Sequence, residues 1–132
     1  MPARRLWLLL LLVAAPSAAA QMLPSGTWTG AVERGEASAP VEAAIERCAT
    51  GFSVDLRLGD QTARTETATW ADGRLQFRLP RLRMPEAPRA RALACTLRQR
   101  DDGTLAGVCR SGEDAWRLAL APPADAAFGC EG

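Results

Sequence analysis

Apolar and polar residues alternate with period two in a series of short runs, and that pattern predicts half-buried β-strands. Trp28, Gly30 and Val32 alternate with Thr27, Thr29, Ala31 and Glu33. Val41, Ala43 and Ile45 alternate with Glu42, Ala44 and Glu46. Phe52, Val54, Leu56 and Leu58 alternate with Ser53, Asp55 and Arg57, the cleanest run. Leu75, Phe77 and Leu79, and near the end Trp116, Leu118 and Leu120, repeat the pattern. After residue 20 no stretch keeps a helical period for ten residues, so an all-β domain is expected.

Turn chemistry separates the runs. Asp72-Gly73 and Asp102-Gly103 each stand between alternating segments, the strongest short-range hairpin signal. Counting runs and turns predicts eight strands of about six residues with mostly short connections. An antiparallel up-and-down β-barrel fits that order and leaves no exposed sheet edge; a two-sheet β-sandwich is the alternative. The longest connection is expected over Pro80 to Arg91, with three prolines and four arginines.

The second hairpin allows a register argument. A two-residue Asp102-Gly103 loop would set Cys95 opposite Arg110 and put the two cysteines on opposite sides of the sheet. A three-residue loop, Asp101-Asp102-Gly103, with Gly103 left-handed as a bulge, sets Cys95 opposite Cys109, with Leu97 and Leu105 on the same face. The bulged loop and a Cys95–Cys109 bridge are therefore predicted, and Cys48 and Cys130 pair by elimination. The strand Thr62–Trp70 admits two readings. A two-residue Asp72-Gly73 turn places Trp70 opposite Leu75 and brings Arg64 and Glu66 inward. A three-residue turn sends all three outward and leaves Ala63, Thr65, Thr67 and Thr69 inside.

Of the 132 residues, the first twenty carry the three parts of a secretory signal. Arg4 and Arg5 precede the apolar run Leu6 to Ala15, and Ala18-Ala19-Ala20 supplies small residues for cleavage. That run is about half of what a membrane span needs. Residues 21–132 then form a single domain, periplasmic or secreted and expected to be monomeric, with no stable membrane insertion. Export makes disulfides the natural use of four cysteines, whose spacings match no zinc knuckle.

Without its first twenty residues the chain has 14 Arg against 15 carboxylates, which argues against nucleic acid as the main partner. Lys, His and Tyr are absent. A His-based triad, a His metal site and a Lys Schiff base are thereby excluded. No carboxylate spacing promises an acid–base pair, so no catalytic residue, metal or cofactor is assigned and no enzyme is expected.

Ser25-Gly26-Thr27-Trp28-Thr29-Gly30 resembles the Gly-x-Trp opening of calycin barrels, shared by lipocalins and avidins. The resemblance implies an eight-stranded barrel whose first-strand Trp closes one end. The chain departs from lipocalins in lacking any Tyr, and from avidins in lacking the Tyr and Asn that contact biotin.

Two functions are consistent with these features. In the first, an exported non-catalytic barrel binds a small apolar ligand. Trp28, Phe52, Phe77 and Trp116 line its cavity and Trp70 stands at the rim, although the same aromatics could simply fill the core. In the second, the protein is an envelope interaction module, such as a hydrolase inhibitor. The loop bearing Arg81, Arg83, Arg89 and Arg91 would meet the partner, helped by Leu82 and Met84.

Overall fold

A computed structural model describes residues 23–48, 51–65 and 67–124. Nine strands form one antiparallel sheet: β1 (Gly26–Arg34), β2 (Ala37–Cys48), β3 (Gly51–Leu58), β4 (Gln61–Arg64), β5 (Thr67–Ala71), β6 (Arg74–Leu82), β7 (Arg91–Gln99), β8 (Leu105–Ser111) and β9 (Asp114–Ala121). The order across the sheet is β4-β3-β2-β1-β9-β8-β7-β6-β5. Every ladder joins strands adjacent in sequence except β1–β9, which pairs Thr29–Glu33 with Arg117–Ala121. No helix occurs among the described residues.

Of the eight expected strands, the one over Thr62–Trp70 is two, and this changes both the count and the closure. β4 pairs only with β3, setting Ala63 against Leu56 and Arg64 against Asp55. β5 pairs only with β6, setting Trp70 against Leu75. In β4 the odd-numbered Ala63 faces the core, whereas in β5 the even-numbered Ala68 and Trp70 pack against it. The inward set thus changes parity between the two halves, and each sequence reading of this segment holds for one half. Arg64 points outward onto Asp55, so the polar patch that one reading placed inside does not include it. At the break, Thr65 N–H still donates to the Val54 carbonyl (3.0 Å), while Val54 N–H donates to the Thr65 hydroxyl (3.2 Å). A side-chain oxygen stands where the next main-chain acceptor of the ladder belongs, and the ladder ends there. The hydrogen-bonded ring of the expected up-and-down barrel is therefore open at the seam between β4 and β5. The sheet is nonetheless continuous, two meanders (β1–β4 and β5–β9) joined through the β1–β9 ladder.

Both predicted hairpins form. Asp72 (φ 55°) and Gly73 (φ 71°) are both left-handed, as a two-residue type I′ turn requires. Around Asp101–Gly103 the loop has three residues, Gly103 is left-handed (φ 89°), and Cys95 sits directly opposite Cys109. The two cysteines are disulfide-bonded and buried. Asp102 organises this loop, accepting from Thr104 N–H (3.0 Å) and from its hydroxyl (2.6 Å). Those hydrogen bonds, the hydroxyl's first, hold the Asp102 carboxyl below its ordinary value. The Cys48–Cys130 pairing and the export segment lie outside the described residues.

The inward residues make one core centred on Trp28, Trp116, Ile45, Leu56, Leu75 and Leu97, all 2% exposed or less. Curling the sheet around it requires close strand approach at two glycines. A Cβ on Gly30 would collide with the Ala119 carbonyl oxygen, and one on Gly107 with that of Thr96. Both obstacles are backbone, so neither can swing aside. Gly30→Ala is expected to cost about 2 kcal/mol by overpacking. A urea midpoint equal to the parent's would show that β1 and β9 do not approach so closely.

Candidate functional site

The two ends of the curled sheet are closed differently, and each closure uses an indole. At one end Leu23 is fully buried, and Trp28 Nε1 donates to the Pro24 carbonyl (3.1 Å). Ser25 Oγ accepts from Arg47 N–H (3.1 Å), fastening this entry segment to β2. At the other end residues 83–90 fold inward, with Met84 and Ala87 buried, and Trp116 Nε1 donates to the Pro85 carbonyl (2.8 Å). Gln61 grips the same segment with both amide atoms. Its Nε2 donates to the Arg83 carbonyl (3.0 Å), and its Oε1 accepts from Arg83 N–H (2.8 Å).

The five aromatics expected to line a cavity fall into two groups. Trp28, Phe77 and Trp116 are buried in the packed core, and both buried indole N–H groups are bonded to main-chain carbonyls. Phe52 and Trp70 are half-buried and pack on the edge of that core. Trp28, Phe77 and Trp116 thus belong to the same buried cluster as the aliphatic core residues, close-packed among side chains of the chain itself.

The four arginines expected on one loop are spread over three elements. Arg81 lies on β6 and Arg91 on β7, because β6 runs on to Leu82 through a register shift between Leu79 and Leu82 that accommodates Pro80. Only Arg83 and Arg89 belong to the connection. Arg83 Nε donates to the Ala87 carbonyl (3.2 Å), while Arg89 is exposed. Leu82 and Met84, expected as outward apolar contacts, are 2% exposed and belong to the core.

A cluster that the sequence did not mark stands beside this connection. Ser111–Asp114 is the tight end of a hairpin that pairs Ser111 with Asp114. The Asp114 carboxylate accepts from Arg34 (2.8 Å) and, through its other oxygen, from Arg91 (2.8 Å). The Arg34 guanidinium also lies over the Trp116 ring, 4.9 Å from its centroid. One carboxylate thereby joins the β1, β7 and β9 ends of the sheet, next to the Trp116–Pro85 hydrogen bond. Its partners lie 80 and 23 residues away along the chain, and no local spacing signals such a contact.

The hydrogen bond from Arg34, reinforced by Arg91, holds the Asp114 carboxyl below its ordinary 3.8. A lowered folded value means that ionised Asp114 stabilises the fold above about pH 4, and that this contribution fades as pH falls through the folded value. Asp114→Asn is accordingly expected to lower the melting temperature at pH 7 and to converge on the parent in strong acid. Parallel pH–melting curves for the two proteins would refute this role.

Between the 83–90 connection, the β3–β4 turn and β2 lies an open groove of about 830 Å³. Pro40, Leu58, Met84, Pro85, Ala87 and Pro88 form its apolar walls, and Asp60, Gln61, Arg83 and Glu86 its polar positions. Among the described residues no group of His, Cys, Asp or Glu is placed to hold a metal.

The fold and this braced end define a small antiparallel β-sheet protein, wound around one core and stapled by a disulfide between neighbouring strands. Comparison with protein-family models, curated proteins and solved structures gives no match for the chain.

Proposed function

We propose that this is an exported, non-catalytic interaction module of calycin-like barrel architecture, which contacts an envelope protein through its braced end. The observation that carries the reading is the groove beside the 83–90 connection. Its wall is preformed by Met84, Ala87, Gln61 and the Trp116–Pro85 hydrogen bond, so little ordering is left for binding to impose. The packed interior weighs against a ligand held among Trp28, Phe77 and Trp116. Export is supported by the leader-like residues 1–20 and by the Cys95–Cys109 bridge, which suits an oxidising compartment. The calycin likeness rests on the buried Trp28 at the closed end of β1. A second reading, a small apolar ligand, moves from the interior to the groove, because the groove walls are mostly apolar.

Native mass spectrometry of the protein isolated from envelope extract tests both readings, with Arg89→Glu and Pro88→Asp run beside the parent. A bound polypeptide released by these two exposed changes supports the interaction module. A partner retained equally by all three proteins overturns the assignment to this end. A light non-covalent adduct lost in Pro88→Asp transfers the groove to the small-ligand reading.

A further inference from the structure

The outward faces of the two halves of the sheet carry opposite charge. On β1–β3 the outward positions include the four carboxylates Glu33, Glu42, Glu46 and Asp55 against one arginine, Arg57. On β6–β9 they include Arg74, Arg78, Arg98, Arg110 and Arg117, and no carboxylate. None of these five arginines makes an ion pair among the described residues, whereas Arg34, Arg64 and Arg91, which do, all lie off this face. Arg117, at the edge of this face, stands directly opposite Glu33 of β1, and the hairpin tips carry Asp72, Asp101, Asp102 and Glu113.

The arrangement is unfavourable to the isolated fold. Arg74 stands directly opposite Arg98 in the β6–β7 ladder, and like charges directly opposite each other destabilise a strand pair. The outward positions between the arginines are uncharged: Gln76, Ala94, Thr96, Ala106, Val108 and Ala115. The guanidinium groups of Arg74, Arg78, Arg98 and Arg110 therefore have no carboxylate opposite them in the ladders, and can offer their donor forks to an anionic oxygen.

We propose that this outer face of β6–β9 adsorbs electrostatically to anionic phospholipid surfaces, separately from whatever the groove binds. Phosphate oxygens match the guanidinium fork in charge and geometry. The face has no aromatic or long aliphatic residue, and protein interfaces concentrate their binding energy on such anchors. Peripheral adsorption needs none, since each arginine near an anionic membrane contributes by charge alone. The face is also convex, and mobile headgroups can gather around a convex patch. Nothing in it would insert into the bilayer.

Vesicle cosedimentation tests the proposal, using equimolar phosphatidylglycerol and phosphatidylcholine against phosphatidylcholine alone. The disulfide-bonded protein should pellet with the anionic vesicles at low ionic strength, stay in solution with the neutral ones, and be released by about 1 M salt, where screening acts over about 3 Å. Arg98→Gln should weaken partitioning about five-fold and Arg98→Gln/Arg110→Gln about twenty-five-fold. Neither should lower the melting temperature, since Arg98→Gln removes the repulsion with Arg74. Arg47→Gln/Arg57→Gln, with the same net charge as the double variant but off the face, should bind as the parent does. Equal weakening by the two double variants would leave only net charge and overturn the assignment. Binding to neutral vesicles, or none to anionic ones, would overturn it too. So would tighter retention of a single-stranded DNA oligonucleotide than of anionic vesicles at matched salt, which would give the face to nucleic acid.

Discussion

Trp116→Ala should lower the free energy of unfolding by about 3–5 kcal/mol, as removal of a large buried aromatic generally does. Trp116 is only 2% exposed, and three contacts converge on it. Its ring fills the core beneath the 83–90 connection, its Nε1 holds the Pro85 carbonyl, and its face carries the Arg34 guanidinium. The loss should therefore reach further than a cavity. Met84 and Ala87 rest on the same end of the core, and hydrogen exchange in residues 83–90 should quicken in the variant. Trp116→Phe separates the contributions, since it keeps most of the apolar volume and leaves the Pro85 carbonyl without its donor. It should cost less than the alanine change while still loosening the connection. Urea unfolding with an unchanged m-value is the measurement. A Trp116→Ala cost below about 1 kcal/mol would mean that the indole is not the keystone of this end.

Replacing both Cys95 and Cys109 by alanine should cost about 3 kcal/mol, from the freedom returned to the unfolded chain when a loop of this length is no longer closed. The bridge lies inside, between directly paired positions of β7 and β8, and both cysteines are almost inaccessible. Reductant should therefore act slowly on the folded protein and quickly on protein opened by urea. In the parent, neither cysteine should be alkylated before reduction. Identical unfolding curves for the parent and the double variant would rule out the bridge. The same change removes the covalent support of the bulged Asp101–Gly103 loop, yet Asp102 and Thr104 should hold that turn alone. The turn's amide pattern is thus expected to survive the loss of the disulfide.

How far this was legible from the amino-acid sequence depended on how local each determinant is. Alternation along Phe52–Leu58 and Leu75–Leu79 names the inward residues correctly, because a strand with one buried face must place its apolar set with period two. The Asp101–Gly103 loop was legible too, since loop length alone fixes which residues face each other, and only the bulged form joins the cysteines. The segment 62–70 was not, because its two halves obey different partners. β4 takes its register from β3 and β5 from β6, and no single periodicity describes both. The Asp114 cluster was also invisible. Its members come from three distant strands, and a hairpin tip of Ser, Gly, Glu and Asp reads as loop whatever it grips. The aromatics were recognised as inward, but alternation cannot distinguish a wall from a filling. In the fold Trp28 and Trp116 are buried, with their indole N–H groups on two prolyl carbonyls. The polarity of the outer face was missed for a related reason. After residue 20, fourteen arginines nearly balance fifteen carboxylates, and only the strand order segregates them.

The single non-consecutive ladder has a consequence for how the chain matures. Hairpins β2–β3, β5–β6, β6–β7, β7–β8 and β8–β9 can each zip as soon as their own residues are available. β1 cannot be completed in that way, for its second neighbour is the last strand of the sheet. A chain delivered amino-terminus first through a narrow channel therefore presents one side of Thr29–Glu33 unsatisfied until Arg117–Ala121 has followed it out. For that interval the leading strand is a sticky end, able to pair with any extended segment nearby. Truncation before residue 117 would make the interval permanent, so such fragments should aggregate although they retain most of the hairpins.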